Sequence, residues 1–228
     1  MRRLPGRCGS AVTPLSFKLA DTAQLLFLGA HSDDIEIGCG GTLLTLLAAH
    51  PKLSVTWVVL SADDARADEA HSSATQFLAQ AAHQRVKVER FRESYFPSHI
   101  DAIKDYFETL SREVSPDVIF THYRDDRHQD HRVVSDLTWN TFRNHLILEY
   151  EIPKYDGDLG RPNLFMPLPE VHVERKLELL LSHFATQRSK AWFDRDTFSA
   201  LMRLRGVESN AKSRFAEAFH ARKLTLTV

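Results

Sequence analysis

Five apolar runs of strand length recur along the chain: Leu25 to Gly29, Val55 to Leu60, Val86 to Phe91, Val118 to His122 and Leu146 to Ile152. They are rich in β-branched and aromatic side chains, which favour a pleated, half-buried backbone. Between them the apolar spacing switches to three and four residues. It does so at Ala70, Ala74, Phe77, Leu78 and Ala81, and again at Ile100, Ile103, Phe107, Leu110 and Val114. That is the period of a helix with one buried face. Strands alternating with helices predict an α/β fold with a mostly parallel sheet covered by helices.

Past residue 152 the pattern loosens into "PKYDGDLGRPNLFMPLP", whose Pro, Gly and Asp argue against a long regular element. A helix carrying Val173, Leu177, Leu180, Leu181 and Phe184 follows, then one carrying Phe198, Leu201 and Met202 that Gly206 is expected to stop. The ending "KLTLTV" alternates like a short strand. This last third is expected to pack on the same sheet and to shape a pocket.

A chain of 228 residues defaults to a single domain. Residues 1–20 read as a partly disordered extension and 21–228 as the domain. Lys and Arg (29) balance Asp and Glu (30) for a net charge of −1, so no basic footprint for nucleic acid or for an anionic membrane exists. No long apolar run that would insert stably into a membrane occurs. Cys8 and Cys39 are too few for a disulfide framework, which fits a reducing cytoplasm. A small-molecule substrate suits this balance best.

The strand ends carry the chemistry. The first runs into "AHSDD" and the fourth into "RDDRHQDHR". A parallel sheet gathers the carboxyl ends of its strands at one edge, where such folds bind ligands. Taken alone, "AHSDD" also fits a turn in which an Asp caps the next helix, and the second loop fits a solvated charged loop before a helix starting near Arg132. Adjacent carboxylates at a partly buried edge repel, however, unless a cation compensates. Two histidines and an aspartate leave a fourth metal position for water, as in catalytic zinc sites. A second carboxylate beside the ion can then take the water's proton.

"AHSDDIEIGCGGTL" resembles the first signature of the PIG-L (LmbE-like) N-acetylglucosaminyl deacetylases, and "HQDHR" resembles their second. "SHFATQ" and "AEAF" sit where that family carries similar segments. The resemblance runs from about Leu25 to Phe219. It implies a Rossmann-like fold with helices on both faces of the sheet, and a metal-dependent N-deacetylase acting on an N-acetylated amino sugar or its glycoconjugate. It further implies Zn2+, or Fe2+ in its place, held by His31, Asp34 and His131. Asp33 would be the general base. His128 would protonate the leaving amine or steady the oxyanion, and Asp130 would orient or tune His128. Arg66, which with Glu69 resembles the family's R-xx-E segment, would contact substrate. Relatives often assemble, so a homo-oligomer is also implied. Ser32 stands where the family has proline, which removes a φ restraint and adds a backbone donor.

Other readings compete. The glycines after the first strand do not fit a dinucleotide fingerprint, because Leu43 occupies the last glycine position. An iron(II) oxygenase uses the same donor types but leaves Asp33 and His128 without a task. A non-catalytic sugar-binding protein needs no ionisable pair beside a metal. His122 ends the fourth strand with its direction undetermined by alternation, and the remaining histidines read as surface or satisfied polar residues.

Overall fold

Most of the apolar runs form strands because they alternate two buried faces, whereas the third run stays half-buried at the sheet edge. In the computed structural model, which describes residues 18–225, Leu25 and Phe27 point to one side and Leu26, Leu28 and Ala30 to the other. They belong to β1 (Gln24–His31), an interior strand of a seven-stranded sheet. Parallel to it run β2 (Ser54–Ser61), β3 (His83–Val88), β4 (Val118–His122) and β5 (Leu146–Tyr150). The order is β3-β2-β1-β4-β5, then β7 (Ala216–Ala221) and β6 (Leu164–Pro167), where β7 is antiparallel to both neighbours. Strand order therefore reverses between β1 and β4, and a crevice opens at such a switch point.

One face is covered by α1 (Asp34–Ala49), α2 (Asp64–Phe77), α5 (Glu170–His183) and α6 (Arg195–Glu208), the other by α3 (Ile100–Glu113) and α4 (Gln129–Thr141). The fold class read from the sequence is the one observed. The expected extension lies almost wholly in residues 1–17, outside those described, as does Cys8. Three details differ from expectation. β6 lies within the Pro- and Gly-rich stretch and β7 begins with "AEAF", where both complete the sheet edge, while Lys223–Thr225 of the expected final strand belong to no strand and 226–228 lie outside the described residues. Gly206 does not stop α6. It lies inside the helix, and glycine is needed there because a Cβ would come within 2.1 Å of the Arg214 carbonyl oxygen. β3 starts three residues earlier than its apolar run, pulled in by pairing of His83 with Ser54.

The glycines of "IGCGG" serve packing. A Cβ on Gly38 would sit 2.2 Å from the Tyr150 ring, and one on Gly40 would sit 2.7 Å from Phe77. Tyr150 cannot yield, since its hydroxyl donates to the Leu28 carbonyl at 2.6 Å. Cys39, at φ −148° and ψ 17°, kinks α1 there. The kink begins a second helical segment, whose buried Gly41 and Thr42 amides lack helical acceptors and donate to Glu217 at 2.9 and 2.6 Å.

Glu36, on the buried face of α1, accepts from the Ser73 hydroxyl at 2.6 Å, while its second oxygen has no partner. Burial therefore pushes its carboxyl well above the ordinary range. The folded state keeps a proton that the unfolded chain releases, so stability falls as pH rises above the unfolded carboxyl range. Glu36→Gln is expected to raise the unfolding temperature at neutral pH and to flatten its decline between pH 5 and 8. Thermal melts across that range check both effects, and an unchanged slope would mean that Glu36 is ionised in the fold.

Candidate metal centre

β1 delivers His31, and the turn into α1 delivers Asp33 and Asp34; all three side chains are buried. Asp34 Oδ2 accepts from the His31 backbone amide at 2.7 Å. Asp33 occupies the N-cap position of α1, yet its side chain makes no capping bond. The capping reading of "AHSDD" therefore fails, and the Asp33 carboxylate is left uncommitted. From the other side of the switch point, β4 leads into the loop before α4. That helix begins at Gln129 rather than near Arg132, because His128 caps it through Nδ1, which accepts from the Asp130 amide at 3.2 Å.

His31, Asp34 and His131 converge. His31 Nδ1 lies 3.5 Å from Asp34 Oδ2, His131 Nε2 lies 3.5 Å from Asp34 Oδ1, and the two nitrogens are 3.2 Å apart. A tetrahedral zinc ion with ligand bonds near 2.0–2.1 Å places its donors about 3.3 Å apart. Two overlapping groups share this space, His31, His128 and His131 in one and Asp34, His122 and His131 in the other. Tautomers separate them. His31 Nε2 meets Asp130 Oδ2 at 3.1 Å and His131 Nδ1 meets Asp126 Oδ2 at 2.9 Å, so each ring gives its outer N–H to a carboxylate and turns a lone pair inward. His128 accepts at Nδ1, so its proton sits on Nε2 and that atom donates. His122 Nε2 spends its lone pair on the Ala30 amide at 3.0 Å; it cannot also donate to Asp34, 3.2 Å away. The residues thus fit a divalent ion held by His31, Asp34 and His131.

The charges agree with that geometry. Burial would lift Asp34, but His131, His122 and His31 hold its carboxyl well below the usual range. Burial and then His122 push the His131 imidazole down to about 3. Burial also works against a charge on His31, yet Asp34 and Asp130 raise it to about 10, so a proton bridges the facing lone pairs when no metal does. Burial first and the Asp34 carboxylate second raise Asp33 to about 6, against the pull of Arg66, His31 and Lys190. Burial and His31 lower His128, so its imidazole is neutral near pH 7.

Some expected placements change. The Asp130 carboxylate sits on His31 and takes the Ser94 and Phe96 amides at 2.6 and 3.1 Å, so it orients His31 rather than His128. Arg66 is buried and pairs with Glu93. Glu69 receives the Thr186 amide and hydroxyl at 2.9 and 2.6 Å, which pins the "SHFATQ" turn to α2. The Ser32 hydroxyl is buried without a partner. Asp126 is a functional residue that the sequence motifs do not single out; its signal is an adjacent pair of aspartates, Asp125 and Asp126, in the loop just before the helix that carries His131. Lys190 gave no local signal at all.

The site and fold define an α/β protein with a His/Asp cluster able to hold a metal. The family model for GlcNAc-PI de-N-acetylase (PIG-L) matches residues 26–142, just over half of the chain, and the chain belongs to that family of deacetylase enzymes. The uncharacterized deacetylase YaiS of Escherichia coli K12 is 28% identical over 169 residues, covering 70% of this chain and 89% of YaiS. The N,N'-diacetylchitobiose deacetylase of Pyrococcus horikoshii matches with a TM-score of 0.67 at 20% identity, over 88% of this chain and 84% of its own. GalB, the 4-carboxy-2-hydroxymuconate hydratase of Pseudomonas putida KT2440, matches with a TM-score of 0.70 at 16% identity, over 91% of this chain and 99% of its own. The fold alone therefore does not choose the reaction. Among the described residues no helix is long and apolar enough to cross a membrane.

Proposed function

We propose that this deacetylase is a zinc-dependent hydrolase that cleaves the acetamide of an N-acetylated amino sugar, free or in a glycoconjugate, to acetate and an amine. The observation that carries the reading is the pair of inward-facing imidazoles beside Asp34, with the buried Asp33 carboxylate next to them and engaged by no other group. A bound divalent ion polarises the amide carbonyl and makes water acidic enough to ionise near neutral pH. Asp33 takes the proton from the attacking water and returns it to the departing nitrogen. His128, neutral and protonated at Nε2, donates a hydrogen bond to the oxyanion that forms on the carbonyl. Arg66, held by Glu93, binds the acceptor end of the substrate. Zinc is favoured over iron(II) because hydrolysis employs both Asp33 and His128, whereas oxygenation employs neither. We place the enzyme in the cytoplasm, where its near-neutral charge and scarce cysteines fit, as a homo-oligomer acting on small molecules or glycoconjugates.

Acetate release from a panel of N-acetylated amino sugars tests the reading. We expect release that a chelator abolishes and that zinc restores. Its rate should rise with pH through about 6 as Asp33 loses its proton, since only the carboxylate can act as base. Release that is indifferent to chelator, or oxygen consumption without acetate, would refute the reading.

A further inference from the structure

We propose that Lys154 is a positioning residue for the metal centre, fixing the Asp126 carboxylate that aims His131. The inference rests on the metal-centre reading above. Lys154 stands in the loop between β5 and β6, outside every motif that marks the site. Its side chain is only 8% exposed, and Nζ lies 3.0 Å from Asp126 Oδ2. That oxygen is the one that meets His131 Nδ1 at 2.9 Å. The other oxygen of Asp126 accepts the His128 amide at 2.8 Å. The carboxylate is thus held from three directions, and Lys154 is the holder that comes from outside its own loop.

The lysine is itself clamped. Asp158 takes Nζ at 2.5 Å and also accepts the Arg127 amide at 2.6 Å, which ties the Lys154 loop to the loop carrying Asp126. At the base of the Lys154 loop, Arg205 grips Glu151 through two bonds of 2.6 and 2.8 Å and reaches the Gly160 carbonyl at 3.2 Å. A buried ammonium needs such partners, and a buried carboxylate shared between imidazole and ammonium cannot swing away from either. Outer groups of this kind set the orientation of a metal-binding histidine. Lys154 therefore links the loop between β5 and β6 to the aim of His131.

Zinc affinity of the metal-stripped protein, measured by competition with a chromophoric chelator, tests this. In Lys154→Met the zinc dissociation constant is expected to rise about 10- to 100-fold, the usual consequence of losing an outer-shell contact. The unfolding temperature of the metal-free variant should fall as well, because buried carboxylates lose their cation, so affinity is compared on protein shown to be folded at the assay temperature. Lys154→Arg keeps a cation within reach of the carboxylate and should recover most of the affinity. Lys154→Gln takes the place of the methionine variant if that variant does not fold, with the same expected loss. In a cycle with Asp126→Asn, the effect of Lys154→Met should shrink below about threefold, because the lysine acts through that carboxylate. Unchanged zinc affinity in Lys154→Met, or full additivity in the cycle, overturns the inference while leaving the proposed function standing. Wild-type protein that binds no zinc overturns both.

Discussion

Asp33→Asn is expected to lower acetate release about 10²- to 10⁴-fold, the usual contribution of a positioned general base. Bound zinc should stay at the wild-type level. The two outcomes separate because the adjacent aspartates have different partners. Asp34 touches His31, His131 and His122 and receives a backbone amide, so it is spent on the metal centre. Asp33 makes no capping bond, and burial together with the Asp34 charge raises it to about 6, close to the pH at which a base is most useful. Asparagine keeps the shape and removes the basicity. Metal analysis alongside turnover decides the matter: full activity in this variant would remove Asp33 from the chemistry, and loss of zinc would make it a ligand.

Lys176→Met is expected to destabilise the fold by about 3–5 kcal/mol, because it strips one partner from a buried ion pair. Lys176 Nζ lies 2.6 Å from Glu217 Oε1 and donates to the Ile37 carbonyl at 2.6 Å. Both side chains are almost fully enclosed, at 2% and 3% exposure. Glu217 is needed there because the kink at Cys39 leaves the Gly41 and Thr42 amides without helical acceptors. Removing the ammonium leaves that carboxylate charged in the core. Urea unfolding should show a lower midpoint with an unchanged slope, and adding Glu217→Gln should recover part of the loss. A change below about 1 kcal/mol would mean that the two amides alone satisfy the carboxylate.

Much of this protein could be read locally. Val118 to His122 announces a buried strand because apolar, β-branched residues in a short run have few other homes. "AHSDD" suggests a bound cation because adjacent buried carboxylates repel without one, and "HQDH" offers imidazoles able to share that cation. Reading failed where a residue's meaning depends on a distant one. Gly206 looked like a helix stop, yet α6 runs two residues past it, and glycine is needed there because the Arg214 backbone lies where a Cβ would stand. Leu164–Pro167 looked like loop, yet it pairs with β7 since the sheet edge offers it hydrogen-bond partners. Asp130 was paired in expectation with its near neighbour His128, whereas its carboxylate reaches His31 across the switch point.

Periodicity and residue type, both properties of short segments, were enough to specify an α/β sheet and to place His31, Asp34 and His131 in polar segments at the ends of two strands. Which nitrogen of each ring faces inward, which carboxylate stands behind it, and that Lys154 and Glu217 are buried at all were settled only by folding. Those features arise from contacts between segments far apart in the chain, and a one-dimensional pattern carries no distance between such segments.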